Sequence, residues 1–273
     1  MPGIVKALMV PGLPQLIFEQ SGDGPWQVFR EAMKTAALQV EAAAPEVLVL
    51  YSAQWISVLG HSFQYAANPS GLHVDENWHD LGDMPYSFQI DRDLTARAER
   101  LSRSRGLATK LVDYAGFPVD TATLVALRYF NPKGHLPVVI VSSNIYASAE
   151  DAMTLGQAVG EAIQQSGKRA VLINCSLMSH RFLTEVVTPQ TERFSNPQDD
   201  QWNRQMLDLL GQGQGLKALE WGPEYVEKAN PEMGFKGFYW MMGAMNNLSA
   251  PAQVLAYGSL WGAGAVVLSY DVH

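Results

Sequence analysis

The sequence contains almost no cysteine. Its single cysteine, Cys175, excludes an internal disulfide and any metal cluster built from cysteine thiolates. Cys175 lies within the apolar run Val171–Ser176, which predicts a buried thiol rather than a nucleophile. Chemistry on cysteine is therefore not a candidate function for this chain.

Positive charge and long apolar runs are also scarce. The chain has 19 Lys and Arg against 27 Asp and Glu, a formal net charge of −8. Nucleic acid and anionic membranes attract basic surfaces, so we expect neither as a partner. No unbroken apolar run reaches membrane-spanning length, and no apolar N-terminal stretch ends in a small-residue cleavage site. These absences predict a cytoplasmic globular protein.

No repeat, low-complexity tract or long linker divides the chain. Hydrophobic residues make up 47% of its 273 residues, enough for a large core, and we expect a single domain over residues 1–273. Short apolar runs alternate along the chain with segments of helical spacing. This order predicts an α/β fold with a mostly parallel central sheet and helices on both faces.

The same patterns place the individual elements. Continuous apolar runs indicate strands buried on both faces, and apolar residues three and four apart indicate helices. The predicted strands are Ile4–Val10, Val47–Tyr51, Val138–Val141, Ala170–Asn174 and a closing pair, Gln253–Tyr257 with Ala265–Tyr270. The predicted helices are Trp26–Val40, Asp91–Arg105, Thr123–Phe130, Ser148–Ser166, Asp200–Leu210, Leu216–Trp221 and Phe238–Leu248.

One stretch, Asn68–Gln89, shows little periodicity and is rich in glycine, proline, aspartate and aromatic residues. A segment of this length without regular structure is usually functional or part of an interface. We therefore expect Trp78 and Tyr86 to contribute anchors to a contact with a partner.

The residues do not support three other functions: a phosphate-binding loop, a serine hydrolase and a zinc site. Gly211–Gly215 lacks the Lys-Ser/Thr pair and the preceding strand of a phosphate-binding loop, so it reads as a turn between helices. The chain has no Gly-x-Ser-x-Gly element of a serine hydrolase. His61, His73 and His79 match no compact zinc motif, and we interpret them as loop surface.

A set of segments in fixed order resembles a known family over the whole chain. They are Pro11–Leu16, Ser52–Ile56, Gly60-His61, Val119-Asp120, Pro137–Val139, Ser179-His180, Trp240–Met245 and Tyr257–Ser259. In this order they resemble the class III extradiol ring-cleaving dioxygenases. Active members bind Fe(II) through two histidines and a glutamate, with open positions for substrate and oxygen.

The resemblance implies that this chain has lost its iron ligands. The two iron-binding histidines fall on Gly12 and Gln54, and the glutamate falls near Ser249. Glycine offers no side chain to a metal, and a glutamine amide is a weak, neutral ligand compared with imidazole. The resemblance therefore implies no bound metal in this chain.

Three further positions follow from the resemblance. A second histidine of the first element falls on Gln15, and a histidine common in the middle helix falls on Arg128. His180 is kept at the position of the family's acid–base histidine. Without a metal to activate oxygen it has no substrate chemistry to serve, so we expect a relic or a structural hydrogen-bonding residue.

Within the family the pattern is most similar to the ligand-free α subunits of aminophenol-cleaving dioxygenases. This implies a non-catalytic α subunit in an α2β2 particle, with Fe(II), oxygen and the aromatic substrate bound by a homologous β subunit. Two alternatives stay open. One is a stand-alone, metal-free small-molecule-binding protein that keeps the family's cleft, and the other is an enzyme that uses different ligands.

Overall fold

A mixed β-sheet forms the centre of the molecule. The computed structural model describes residues 3–18, 24–181, 183 and 185–272. Within these ranges the strands are β1 (Ile4–Val10), β2 (Val47–Ser57), β3 (His61–Gln64), β4 (Ser70–His73), β5 (Met84–Ser87), β6 (Thr109–Val112), β7 (Val138–Asn144), β8 (Ala170–Cys175), β9 (Gln253–Leu260) and β10 (Ala263–Asp271). Eight of them form one sheet in the order β6-β3-β7-β2-β8-β1-β10-β9, and β4 pairs with β5 in a separate hairpin.

Helices cover both faces of this sheet. They are α1 (Pro25–Ala42), α2 (Arg92–Ser104), α3 (Thr121–Phe130), α4 (Ala149–Ser166), α5 (Pro197–Gly211), α6 (Gly215–Ala229) and α7 (Lys236–Met245). Alternate residues of a strand point to opposite faces, so Val47 and Val49 join the core under α4 and α7, while Leu48 and Leu50 join the core under α1 and α3. The predicted fold class is confirmed. No helix in the described ranges is long and apolar enough to cross a membrane.

The inner strands of the sheet are parallel. β8 pairs in parallel with both β1 and β2, and β2 pairs in parallel with β7. β10 then runs antiparallel to β1, and β9 antiparallel to β10. The carboxyl ends of the parallel strands therefore meet at one edge of the sheet, which is where open α/β folds bind their ligands.

Most predicted elements are present, with some different ends. The strand Ile4–Val10 has its predicted bounds, and α4 follows the predicted Ser148, which forms a capping box with Asp151. α6 continues through Pro223, where the prediction stopped at Trp221. The short strands β3, β4, β5 and β6 were not predicted, since four residues give too little periodicity to detect. Cys175 is buried, as expected, and burial raises the pKa of its thiol.

The stretch Asn68–Gln89 is more regular than predicted, because it contains the β4–β5 hairpin. The ring of Trp78 lies edge-on to Trp261, with centroids 5.6 Å apart. Tyr86 lies beside the buried ring of Phe88, with centroids 5.9 Å apart. Both predicted anchors therefore have packing partners within the chain itself.

Candidate functional site

A cleft of about 470 Å³ opens at the carboxyl ends of β1, β2 and β8. Its walls combine apolar side chains with carboxylates, an amide and histidines. The lining residues that matter below are Gln54, Ile56, Asp120, Leu177, His180 and Glu232. Because this is the edge at which parallel α/β sheets bind ligands, the cleft is the candidate functional site.

Gly12, beside this cleft, has no room for a side chain. An ideal Cβ at this residue would lie 2.1 Å from Ala122 Cβ and 2.7 Å from Ala122 Cα. Both distances are far below van der Waals contact, and the second involves the backbone of α3. A histidine at residue 12 would therefore require the N-terminus of α3 to move. Atoms of α3 occupy the space that a side chain at residue 12 would need.

The side chain of Gln54 is held by backbone groups on two sides. Its Oε1 accepts a hydrogen bond from the Ala122 N–H at 3.0 Å, and its Nε2 donates to the Gly12 carbonyl at 3.4 Å. The Ala122 N–H belongs to the first turn of α3, where backbone donors have no partner within the helix. The Gln54 amide thus joins the ends of β1 and β2 to α3, and both of its polar atoms are engaged.

Asp120 fixes the same helix end. Its side chain caps α3 by accepting hydrogen bonds from the Thr123 N–H at 3.0 Å and the Thr123 hydroxyl at 2.7 Å. It also accepts from the Ser52 hydroxyl at 2.6 Å, which ties the helix to β2. An N-terminal cap of this kind typically contributes about 1 kcal/mol. The contact between α3 and Gly12 is therefore held from several directions.

Glu232, which the sequence analysis missed, lies in the cleft just before α7. Its side chain is buried and its Oε2 accepts a hydrogen bond from the Leu177 N–H at 3.0 Å. Burial, aided by the nearby charge of Asp120, raises the pKa of Glu232 to about 8, although the Leu177 bond acts in the opposite direction. The carboxyl group is therefore mainly protonated at pH 7. An acidic residue directly before an aromatic helix is the sequence signal that could have indicated it.

Ser249 does not lie in the cleft. It follows the C-terminal end of α7, and its carbonyl lies beside Gly213 in the turn between α5 and α6. Since α7 spans Lys236–Met245, about 15 Å of helix separates its two ends. The placement of Ser249 with Gly12 and Gln54 is thus corrected: the carboxylate that the fold brings there is Glu232.

Arg128 and Gln15 also lie outside the lining of the cleft. Arg128 is in the last turn of α3 and lines a separate cavity with Tyr86 and Phe88. Gln15 is fully buried in the short 3-10 turn Pro14–Leu16, and its amide atoms have no hydrogen-bond partner among the described residues. Of the six residues predicted to share one pocket, the structure brings together Gln54 and His180, with Gly12 beside them.

His180 lines the cleft from the segment that follows β8. Its backbone N–H donates to the Asn230 carbonyl at 2.9 Å, and its own carbonyl accepts from Asn230 Nδ2 at 2.7 Å. Burial lowers the pKa of its imidazole, which is therefore neutral at pH 7. The position of this side chain is set by the loop before α7, which also carries Glu232.

The residues of the cleft do not fit the Fe(II) site of the family. A facial triad needs two imidazoles and a carboxylate on one side of the metal. Gly12 has no space for an imidazole and the Gln54 amide is committed to backbone groups. In the part of the chain that the structure describes, no three histidine, cysteine or acidic side chains are grouped to hold a metal ion.

The other three histidines considered above lie in different places. His61 is buried on β3, and this burial lowers the pKa of its imidazole to about 4. His73 Nε2 lies 2.9 Å from the Thr121 hydroxyl, at the rim of the cleft. His79 is exposed beside Asp80. The interpretation as loop surface holds for His79 and is wrong for His61 and His73, because the strands β3 and β4 that carry them were not predicted.

Comparison with known proteins identifies the family. Residues 8–268 match the family model described as the catalytic LigB subunit of aromatic ring-opening dioxygenase. The chain is 33% identical over 270 residues to the 2-aminophenol 1,6-dioxygenase alpha subunit of a Pseudomonas species, which covers 98% of this chain and 99% of the relative. It is 31% identical over 287 positions to the beta subunit of the same enzyme, covering 98% of this chain and 94% of the relative.

A solved structure shares the fold. The crystal structure of an uncharacterized protein from Escherichia coli K12 superimposes with a TM-score of 0.68, covering 97% of this chain and 99% of the other. At 13% identity this likeness concerns the fold alone. The predicted resemblance to class III extradiol dioxygenases is confirmed by the family match and the two relatives. The chain belongs to the LigB family of aromatic ring-opening dioxygenases.

Proposed function

We propose that this chain is the non-catalytic α subunit of a heteromeric, Fe(II)-dependent extradiol dioxygenase. In this proposal a homologous β subunit binds the iron and opens an aminophenol ring with O₂. This chain supports the β subunit, and two copies of each form an α2β2 particle, because closed symmetric assemblies predominate among oligomers. No metal or cofactor is required in this chain.

One observation carries the proposal: protein atoms occupy the space at Gly12, the position that the resemblance assigns to the first iron ligand. The Cβ of Ala122 lies where a side chain at Gly12 would begin, and the Gln54 amide bonds to both residues. Substitution of ligands alone could leave an empty site open to other ligands. Here the helix has closed onto the site, which supports a role other than iron chemistry. The names of the two relatives, α and β subunits of one dioxygenase, support a paired arrangement.

A second candidate is a stand-alone protein that binds a small molecule in the same cleft without a metal. It is favoured by the space of about 470 Å³ that remains beside the closed position. Glu232 and His180 both line that space, and burial keeps both in their neutral forms at pH 7. Neutral hydrogen-bonding groups beside apolar side chains are typical of a small-molecule site.

One experiment with two protein preparations distinguishes the two candidate functions. The chain is purified alone and together with a homologue that carries both iron histidines, each after anaerobic incubation with Fe(II). We expect no stoichiometric iron and no oxygen uptake with 2-aminophenol for the chain alone, and both for the co-purified complex. Light scattering then gives the mass that tests the α2β2 arrangement.

Two results would contradict the proposal. Tight one-to-one iron binding by the isolated chain would mean that the cleft still forms a metal site. Failure to co-purify with the homologue, combined with calorimetric binding of 2-aminophenol to the chain alone, would favour the stand-alone binding protein instead.

A further inference from the structure

Five large apolar side chains are exposed together at the carboxyl ends of β2 and β7. They are Ile56, Val58, Leu59, Ile145 and Tyr146, and we call them the strand-end patch. Leu59 and Tyr146 are each 79% exposed. Contiguous apolar surface of this kind on a folded chain marks an interaction site more often than single exposed residues do.

The backbone beneath the strand-end patch is fixed by the sheet. Ile56 is in register with Ser143, and the Ile145 N–H donates to the Ser57 carbonyl at 2.9 Å. The Lys236 ammonium donates to the Asn144 and Ile145 carbonyls at 2.9 and 2.7 Å. Because both strand ends are held in place, little conformational freedom would be lost when the patch is covered.

The patch lies in two stretches of the chain that carry no charged residue. Residues 47–74 and 134–149 contain no Asp, Glu, Lys or Arg, although the whole chain carries a net charge of −8. Like charges brought together across an interface cost several kcal/mol. The centres of interfaces are depleted in charge and enriched in aromatic residues such as Tyr146. The five side chains of the patch therefore bring no charge of their own to an interface.

The patch also reaches the rim of the cleft, because Ile56 belongs to both. A partner seated on the patch would lie over the mouth of the cleft. A subunit that turns over substrate needs that mouth open, whereas one whose iron site is closed by Ala122 does not. The patch is thus suited to a permanent contact in this chain.

We propose that the strand-end patch is the surface on which the homologous iron-binding subunit docks. This inference rests on the proposed function and names the surface that it requires. The relatives that share this fold are the two subunits of one dioxygenase, which makes a homologous chain the occupant that we commit to. The anchors are Leu59 and Tyr146, the two most exposed side chains of the patch.

The test compares matched substitutions of exposed apolar residues. Leu59→Glu combined with Tyr146→Glu places charge in the patch. Leu38→Glu combined with Leu216→Glu places the same charge on α1 and α6, where leucines 67% and 58% exposed stand apart from the patch. Binding to the iron-carrying homologue is measured as a dissociation constant. We expect the patch variant to weaken binding by about 100-fold or more and the control by less than about threefold.

The outcomes separate the two proposals. If the wild-type chain does not bind the homologue, the proposed function fails. If it binds and the patch variant binds equally well, the docking surface is wrong while the proposed function stands. If the wild-type chain alone forms a dimer that the patch variant loses, the occupant is a second copy and our choice is overturned. Should circular dichroism show the glutamate variant unfolded, Leu59→Ser with Tyr146→Ser repeats the comparison without buried charge.

Discussion

The two sides of the cleft differ in how their residues use the space between the strands and α3. On the closed side, Gly12, Gln54 and Ala122 fill the space with packed atoms and hydrogen bonds to the backbone. On the open side, Glu232 and His180 line a remaining cavity. One half has become part of the fold, and the other still resembles a binding site.

Under the proposed function, this difference describes how a metal site can be lost without leaving a cavity. An empty ligand position would leave a cavity, and cavities in a core destabilise a protein in proportion to their size. Here α3 packs onto Gly12, and the Gln54 amide supplies a backbone N–H of that helix with a partner. The closed half therefore stabilises the chain, whereas the buried carboxyl group of the open half costs stability when it ionises.

We expect the largest change in the free energy of unfolding from Glu232→Gln, on the open side of the cleft. The pKa of Glu232 is raised from 4.5 to about 8, so between these values the folded state holds a proton that the unfolded state releases. Wild-type stability must therefore fall as pH rises through this window. Glutamine keeps an acceptor for the Leu177 N–H and removes the titration, so the variant should gain up to about 4 kcal/mol relative to wild type by pH 8.

Urea unfolding of both proteins at pH 5, 6, 7 and 8 provides the measurement. The free-energy difference should grow with pH, by at most about 1.4 kcal/mol per pH unit. His61 titrates between pH 4 and 6.5 with the opposite sign, because its pKa is lowered to about 4. Its contribution is common to both proteins and cancels in the difference. A difference independent of pH would mean that Glu232 is ionised in the folded chain.

On the closed side, Gly12→Ala should destabilise the chain by about 2 kcal/mol, since the new Cβ would overlap Ala122. The matched control is Gly211→Ala at the end of α5, where the nearest atom lies at an ordinary 3.9 Å. We expect the control to be neutral or slightly stabilising, because alanine has the higher helix propensity.

A double-mutant cycle tests whether overlap with Ala122 causes the destabilisation by Gly12→Ala. Ala122→Gly removes the Cβ that lies 2.1 Å from the new side chain, so the combined variant should be more stable than the sum of the single effects predicts. Additive effects would mean that residue 12 has room for a side chain, and the comparison between the two halves would lose its basis.

We expect a smaller change in the free energy of unfolding from Gln54→Ala. The substitution leaves the Ala122 N–H and the Gly12 carbonyl without their side-chain partner, and water can reach part of the cleft to replace it. We expect a loss of about 1 kcal/mol in the free energy of unfolding. Gln157→Ala on the exposed face of α4 is the control, with an expected change within about 0.5 kcal/mol. Equal effects at both positions would show that the Gln54 bonds contribute nothing.

The sequence allowed the fold to be predicted where local signals were strong. Ile4–Val10 has its predicted ends because a short run that is apolar except for Lys6 stops at a proline. α4 begins where predicted because Ser148 and Asp151 form a capping box. The strands β3 and β6, at one side of the sheet, have four residues each and no clear alternation, so no local signal marks them.

The candidate site was predictable only in part, for a different reason. Gly12 and Gln54 were placed by a resemblance of short segments, but their contact with Ala122 depends on how α3 approaches the sheet. That approach joins residues far apart in sequence and leaves no periodic pattern. Ser249 was misplaced and Glu232 missed because the sequence pattern gives the extent of α7 and not which end of it faces the cleft.

The smallest effect is expected for His180→Ala in the assembled complex. If the β subunit carries the chemistry, the imidazole of this chain lies in a cleft whose iron position is closed by Ala122, and turnover of 2-aminophenol should stay within about twofold of wild type. The backbone bonds between His180 and Asn230 do not depend on the side chain, so the complex should still assemble. The control is the same substitution at the matching histidine of the iron-binding homologue, which should reduce turnover by about 100-fold or more if it is a general acid–base residue. A loss of that size from His180→Ala, with assembly intact by light scattering, would show that the open half of this cleft takes part in catalysis.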